Sequence, residues 1–398
     1  MVRFIHTSDW QLGMTRHFLE PEAQARYTAA RIDAIRSIGA LAREHRCEFV
    51  VVAGDVFESN LVGAQTVRRA LETMAAIEVP VYLLPGNHDP LDAVTIYRGR
   101  LFARACPPNV HVLDRAGVVP VSEGVELVAA PWFGKAPLRD LVADALEGLS
   151  PPSAGVRVLV GHGALDALSP ESDEPSLISL AGLERAVDDG LVQYAALGDK
   201  HTRLAVGRRR LVNYSGSPEV TSFREERPGD VLVVDVAAGA EPVVTPHHVG
   251  TWRFVTLERE ISGDDDLDDL DEELSRMDPK DRTVVRTGLT GTLTLRQKAR
   301  LDTLLDVYGE VLAACFTWPQ RHDVAVILGD DELTDLGVGG FVDAAVADLA
   351  GLSNGSGGPG RSGGSAAGGG SGGAQDRQSE IAREALSLLY RLAKGPAA

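Results

Sequence analysis

Five apolar runs punctuate the first 200 residues, and each ends in a polar loop. Val2 to Ile5 leads into "HTSDWQLG" (His6 to Gly13). "FVVVAGDVF" (Phe49 to Phe57), "VPVYLLPGNHD" (Val79 to Asp89), "VRVLVGHG" (Val156 to Gly163) and "YAALGDKH" (Tyr194 to His201) repeat the arrangement. Helical patterns lie between them, as at Glu22 to His45 and Ala64 to Ile77. Such alternation predicts strands buried between helices. The later runs "RLVNYSGS" and "DVLVVDV" have no helix between them and predict a second sheet packed on the first. From Trp252 the pattern changes to a smaller α+β unit. Its strands are predicted at Trp252 to Leu257 and Thr283 to Leu289, and its helix from about Leu295 to Tyr308. A Gly/Ser-rich stretch beginning at Gly351 reads as a flexible linker with a reach of roughly 25–30 Å. A last helical pattern follows, with Ile381, Ala385, Leu388, Leu389 and Leu392 on one face. The expected division is therefore 1–250, 251–350, a linker at 351–376 and a terminal helix at 377–398.

Composition narrows the class. A chain of 398 residues exceeds one ordinary core. The sequence has no apolar stretch of membrane-spanning length and does not begin with a secretory pattern, so a cytoplasmic protein is expected. Three scattered cysteines, Cys47, Cys106 and Cys315, fit neither a disulfide framework nor a thiolate zinc site. A net charge of −18 argues against an all-over nucleic-acid-binding surface. Much of that charge is local: "DDDLDDLDEE" (Asp264 to Glu273) reads as a solvated helix face.

The candidate chemistry lies in the loops. Asp9, Asp55, Asn87, His88, His162, Asp199 and His201 each follow an apolar strand. Strand C-termini gather at one edge of an α/β sheet, where such proteins bind ligands. Carboxylates, amide and imidazoles converging there make a site for a pair of divalent ions. Asp55 is the natural bridge, because one carboxylate can give an oxygen to each ion. Gln11, two residues past Asp9, offers only a neutral amide.

"GDVF", "PGNHD" and "VGHG" resemble motifs of the calcineurin-like metallophosphoesterases. "FIHTSDW.LG", "YSGSPE" and the extra α+β unit narrow the resemblance to the SbcD-type nuclease subunits, over roughly residues 1–330. The resemblance implies a four-layer sandwich of two sheets flanked by helices, with a smaller α+β capping domain that helps present DNA. It implies phosphodiester hydrolysis at DNA ends, by hydroxide activated between two ions. Asp9, Asp55 and His201 would serve one ion, and Asp55, Asn87, His162 and Asp199 the other. His88 would act on the leaving oxygen, with Asp89 orienting its ring. Two positions depart from the family: Asp9-Trp10-Gln11 stands for Asp-x-His, and Gly198-Asp199-Lys200-His201 for Gly-His-x-His. The resulting set is richer in oxygen, which favours Mn²⁺, with Mg²⁺ as the alternative, over Zn²⁺.

Arg203, Arg208, Arg209 and Arg210, with Arg224 beyond "YSGSPE", are candidates for backbone phosphate contacts. The resemblance implies three partners: DNA, an SbcC-type SMC-like ATPase docking on the C-terminal helix, and a second copy of the chain. Folding of that helix onto its own domain is the other reading of its apolar face. Two other functions fit the same motifs. One is a DNA-end-binding subunit with weakened catalysis. The other is a small-molecule phosphodiesterase, for which the capping unit, linker and tail would be superfluous.

Overall fold

The computed structural model describes residues 1–327 and 341–353, together with 377–379, 381–382, 385–386 and 388–389. These fall into two compact units, Met1–Arg253 and Phe254–Ala398.

The first unit is built on two six-stranded sheets. In the first, β1 (Val2–Thr7), β2 (Phe49–Val52), β3 (Val81–Leu83) and β4 (Val110–Val112) run parallel. In the second, β6 (Val125–Ala129), β7 (Val156–His162), β8 (Tyr194–Gly198) and β10 (Val212–Tyr214) run parallel, with β5 (Gly117–Ser122) and β9 (Leu204–Val206) antiparallel at the edges. The remaining strands, β11 (Asp230–Val236) and β12 (Val243–His248), extend the first sheet beyond β1, antiparallel.

Two of the expectations change here. The five loop-bearing strands divide between the sheets: β1, β2 and β3 belong to one, β7 and β8 to the other. "DVLVVDV" joins the first sheet rather than the second, pairing Phe4 with Val234. The reason is that β11 is apolar on both faces. Val231 and Val233 meet the helices, while Leu232, Val234 and Val236 meet the other sheet. A strand of that kind can stand inside a covered sheet.

The period-two alternation of side chains assigns the layers. Phe49 and Val51 of β2 face the second sheet, where Phe4 stacks on Phe49 at 4.8 Å between ring centroids. Val50 and Val52 face α1 (Pro21–Glu44), α2 (Ala64–Ala75) and α3 (Arg100–Ala105). Behind the second sheet, α4 (Leu141–Leu146) and α5 (Leu180–Asp188) cover Leu159, Ala195 and Leu197. The order helix, sheet, sheet, helix is the expected four-layer sandwich. His6 lies fully buried between the sheets, bonded to the Tyr194 hydroxyl at 3.0 Å and the Leu197 carbonyl at 3.1 Å. Burial pushes its imidazole down to about 3, so it is a neutral structural group.

The second unit has a four-stranded sheet of β13 (Arg253–Ile261), β14 (Thr283–Thr294), β15 (Ala314–Thr317) and β16 (Asp323–Ile327). Its helices are α6 (Asp264–Ser275), α7 (Leu295–Val311) and α8 (Phe341–Ser353). The acidic run forms α6. Leu267, Leu270 and Leu274 bury its inner stripe, while Asp264 and Asp268 pair with Arg296 and Arg300 of α7. The run is thus partly neutralised, not wholly given to solvent.

The terminal segment also differs from expectation. Ala382 and Leu386 are buried, and Leu386 packs with Leu295, Val346 and Ala350; Leu389 joins them, partly buried. Residues 382, 386 and 389 share one helical stripe, while 381, 385 and 388 share the next. Leu389 therefore belongs to the stripe that packs on its own unit. Ile381 and Leu388 remain exposed and Ala385 is half-buried. Leu392 and the glycine-rich residues 354–376 lie outside the described residues. The linker expectation began too early, since α8 continues to Ser353.

Candidate metal centre

The loops after β1 and β2 are zipped together by their backbones. Asp9 donates its N–H to Gly54 at 3.0 Å, Gln11 to Asp55 at 2.9 Å and Leu12 to Val56 at 2.9 Å. This brings Asp9 and Asp55 side by side at the end of one sheet, facing His162 at the end of the other. Ligand atoms of Asp9, Asp55 and His162 lie within 4.8 Å of one another, and all three residues are buried.

The backbone is bent to achieve this. Asp9 (φ 54°), Gln11 (φ 43°), Asp55 (φ 54°) and Asp199 (φ 102°) occupy the positive-φ region that side chains ordinarily avoid. They are four of the six non-glycine residues that do so among the described residues. Such conformations persist where the surroundings enforce them, commonly at functional sites. Two glycines make the close approach sterically feasible. A Cβ on Gly54 would lie 2.0 Å from His162 Nδ1, and one on Gly86 would lie 2.2 Å from Asp55 Oδ1.

The tautomers follow from fixed acceptors. A carbonyl can only accept, so His162 Nδ1–H donates to Ala53 O at 2.9 Å. Its Nε2 then faces Asn87 Oδ1 at 2.8 Å and Asp55 Oδ1 at 3.4 Å. At His201, the Thr221 hydroxyl donates to Glu225 and so accepts from Nδ1–H at 2.6 Å. That leaves His201 Nε2 toward Gln11 Nε2 at 3.2 Å and Asp9 Oδ1 at 3.8 Å. Asp199 donates its N–H to Asp9, and its carboxylate accepts no hydrogen bond among the described residues. Adjacent Lys200 is half-buried and makes no ion pair there either.

Electrostatically, the cluster suits a cation. Burial raises the Asp9 carboxyl above its ordinary range. Burial acts the same way on Asp55, but His162 and His88 outweigh it and hold Asp55 low. Burial would lower His162, yet Asp55 and Asp9 push it well up. Two buried carboxylates this close do not both ionise easily without positive charge between them. Gln11 Oε1 adds a second indication: it is buried without a hydrogen-bond partner. An amide oxygen so placed fits a hard cation. The buried group of Asp9, Asp55 and His162, with the unpartnered Gln11 Oε1 beside it, therefore suits a divalent cation.

His88 stands apart from this set. Its N–H donates to Asp55 Oδ1 at 2.9 Å, and its Nδ1–H to the Glu58 carbonyl at 2.9 Å. Nε2 lies 3.9 Å from Asp55 Oδ2, on a side chain that is 37% exposed. Asp89 does not orient this ring, contrary to the sequence reading. Its Oδ2 accepts from the Phe57 N–H at 2.9 Å and the Tyr97 hydroxyl at 2.6 Å, and its Oδ1 from the Gly86 N–H at 2.8 Å. Asp89 is a buried brace for the loop, and burial together with nearby Asp55 pushes its carboxyl up to about 6.

That brace predicts a pH-dependent loss in Tyr97→Phe. Removing the hydroxyl is expected to cost about 1.5–3 kcal/mol, the range for a bond to a charged acceptor. The bond favours ionised Asp89, so its loss raises the native pKa further above the unfolded value. Stability then falls more steeply as pH rises through that pKa. Urea unfolding should accordingly show a larger deficit at pH 7.5 than at pH 4.5. A pH-independent deficit would mean that Asp89 does not ionise in the fold.

The candidate phosphate-binding arginines are less available than the sequence suggests. Arg203 pairs with Asp230, Arg208 with Glu184 and Asp188, and Arg209 with Asp188 and Glu241. Arg210 and Arg224 are exposed and make no ion pair among the described residues. Trp10 is core, 1% exposed, and donates its indole N–H to Thr7. Sequence reasoning missed Ser8, which bonds Asp9, and the Thr221–Glu225 pair behind His201. Glu225 lies in a loop 24 residues from its partner, and nothing local marks it.

Residues 2–285 match the calcineurin-like phosphoesterase family. The chain is 25% identical over 287 residues to the SbcD component of the nuclease SbcCD of Bacillus subtilis, covering 64% of this chain and 70% of that one. It is 27% identical over 262 residues to the DNA double-strand break repair protein Mre11 of Aeropyrum pernix, covering 61% and 60%. Among solved structures, purple acid phosphatase PPD1 from yellow lupin seeds aligns at a TM-score of 0.40 and 10% identity, over 62% of this chain and 51% of that one.

Proposed function

Starting from the calcineurin-like phosphoesterase family, to which this chain belongs, we propose that it is a metal-dependent DNA nuclease that processes DNA ends in repair. The observation that carries the reading is the buried convergence of Asp9, Asp55 and His162 from two sheets. The similarity to a nuclease component and to a double-strand break repair protein supports DNA as the substrate.

Two divalent ions bound here would polarise the phosphate and lower the pKa of a water for in-line attack. Mn²⁺, or Mg²⁺, suits three carboxylates, two amides and two imidazoles better than Zn²⁺ does. The residues themselves hold and orient. Asp55 would be shared between the two ions. Thr221 and Glu225 fix the His201 ring so that Nε2 points inward. The Glu58 carbonyl holds the His88 ring so that Nε2 can give a proton to the leaving oxygen, or stabilise charge there.

The second unit serves as the capping domain in this reading. Arg210 and Arg224 are the remaining candidates for backbone phosphate contacts. The exposed residues Ile381 and Leu388 offer a surface for an SbcC-type ATPase, and a homodimer completes the assembly. Among the described residues no helix is long and apolar enough to cross a membrane.

The direct test is metal content with hydrolysis of linear DNA under Mn²⁺. Two ions per chain with cleavage supports the reading; tight ion binding with no cleavage of any DNA end would refute it. A second expectation concerns Glu225→Gln. Weakening the group behind a metal-binding histidine typically costs about 10–100-fold in metal affinity. Calorimetric titration with Mn²⁺ should show that loss at one of two sites; unchanged affinity at both would remove His201 from the ligand set.

A further inference from the structure

α1 buries a cation. Arg31 is 3% exposed and makes no ion pair among the described residues. Burying a charge without a counterion is costly, so its retention calls for a reason. The guanidinium spans two loops. Nη1–H donates to the Trp10 carbonyl at 2.9 Å. Nη2–H donates to the Val220 carbonyl at 3.1 Å and the Tyr27 hydroxyl at 2.6 Å, and touches Met14 Sδ at 3.3 Å. The Tyr27 hydroxyl donates to the same Val220 carbonyl at 2.7 Å. Nε, also buried, has no hydrogen-bond partner. Burial raises the Glu58 carboxyl, and His88, Arg31 and Arg16 act against that, so the charge of Arg31 reaches an acid without pairing with it.

Both bonded carbonyls adjoin candidate ligands. Trp10 separates Asp9 from Gln11, which are held at φ 54° and 43°. Backbone of that kind persists where its surroundings enforce it. Val220 precedes Thr221, whose hydroxyl accepts from His201 Nδ1–H. The same two loops are tied once more by Ser217, whose hydroxyl donates to the Asp9 carbonyl at 2.7 Å. In the nuclease reading Asp9 and His201 serve the same ion. Asn87, His162 and Asp199 stand on other loops, and Arg31 bonds none of them among the described residues. A planar fork of N–H groups can bridge two carbonyls at once, which the point charge of a lysine cannot.

Building on the ion sites of the nuclease reading, we propose that Arg31 is a positioning residue for one of them: its guanidinium clamps the Trp10 and Val220 carbonyls together, and so holds Asp9 and Gln11 against His201. It acts through those residues and gives no atom to the ion.

The test is calorimetric titration of the whole chain with Mn²⁺, beside thermal unfolding of the metal-free protein. Arg31→Met is expected to weaken one of two sites about 10–100-fold, the range for losing a group behind a metal ligand, and to leave the other as in wild type. Metal-free Arg31→Met should unfold within about 5 °C of wild type, because an apolar chain of similar length relieves the unpaired charge while it gives up the bonds. The double variant Arg31→Met/Glu225→Gln should still keep one site at wild-type affinity, since both changes act on the same ion. Arg31→Lys should recover only part of the loss. Wild-type affinity at both sites in Arg31→Met, loss at both sites in the single or double variant, or full recovery in Arg31→Lys overturns the clamp and leaves the nuclease reading standing. If Arg31→Met does not fold, Arg31→Lys decides: weakening at one site supports the clamp, and wild-type affinity at both overturns it. If wild type binds no Mn²⁺, the clamp and the nuclease reading fall together. If wild type binds two ions and cleaves no DNA end, the nuclease reading alone fails, and the affinities of the variants still judge the clamp.

Discussion

Asp55→Asn is expected to lower Mn²⁺-dependent DNA hydrolysis by at least a thousandfold, on the order of the several kcal/mol that metal charge stabilisation supplies. Asp55 is 2% exposed and belongs with Asp9 and His162 to the buried group whose ligand atoms lie within 4.8 Å of one another. Asn keeps the side-chain shape and can still accept from the His88 N–H, so the loop should hold. It also tolerates the left-handed backbone at φ 54°, which Ala does not do as well. Asp55→Ala would therefore mix a backbone cost with the chemical one. A second readout separates folding from binding. Ions that bind only the native state raise the unfolding midpoint. Mn²⁺ should raise it in wild type and raise it much less in Asp55→Asn. An equal rise in both would mean that the ions are held elsewhere.

His88→Ala is expected to lower kcat by about 10²–10⁴-fold, the range for a positioned proton donor, while leaving both ions bound. Its Nδ1–H is taken by the Glu58 carbonyl, and its Nε2 lies 3.9 Å from Asp55 Oδ2, longer than the approach of His162 Nε2 to Asp55 Oδ1 at 3.4 Å. The variant keeps the backbone N–H that Asp55 accepts from, so the ligand loop should not collapse. Metal content by mass spectrometry beside steady-state kinetics decides the matter. Loss of one ion would turn His88 into a ligand, and retained turnover would leave the leaving group without a protein donor.

Much of the fold was legible because it is written in local periodicity. The apolar runs at Phe49, Val156 and Tyr194 are buried on both faces, and their strands form as expected from the alternation. The helix expected at Glu22 to His45 is found at Pro21–Glu44, where Ile32, Ile35 and Ile38 repeat at helical spacing. The polar residues that end those runs were legible for the same reason, since they break the apolar pattern where the chain leaves the core. Asp9, Asp55, Asn87, His88 and His162 were all visible as such breaks.

What local pattern does not carry is which strand neighbours which, and which polar atom meets which. Strand pairing is a long-range choice, made where burial on both faces is satisfied, so only the tertiary structure could send β11 to the first sheet and divide the loops between two. The same holds for hydrogen bonds across many residues. Asp89 and His88 are adjacent in sequence, yet their partners are Tyr97 and the Glu58 carbonyl. The arginine cluster looked basic in one dimension and is largely neutralised by Glu184, Asp188, Asp230 and Glu241 in three. Sequence determined the kinds of groups and the strand ends that bear them. The packing of two sheets decided their distances, because a side chain's partner is set by the other surface it is buried against.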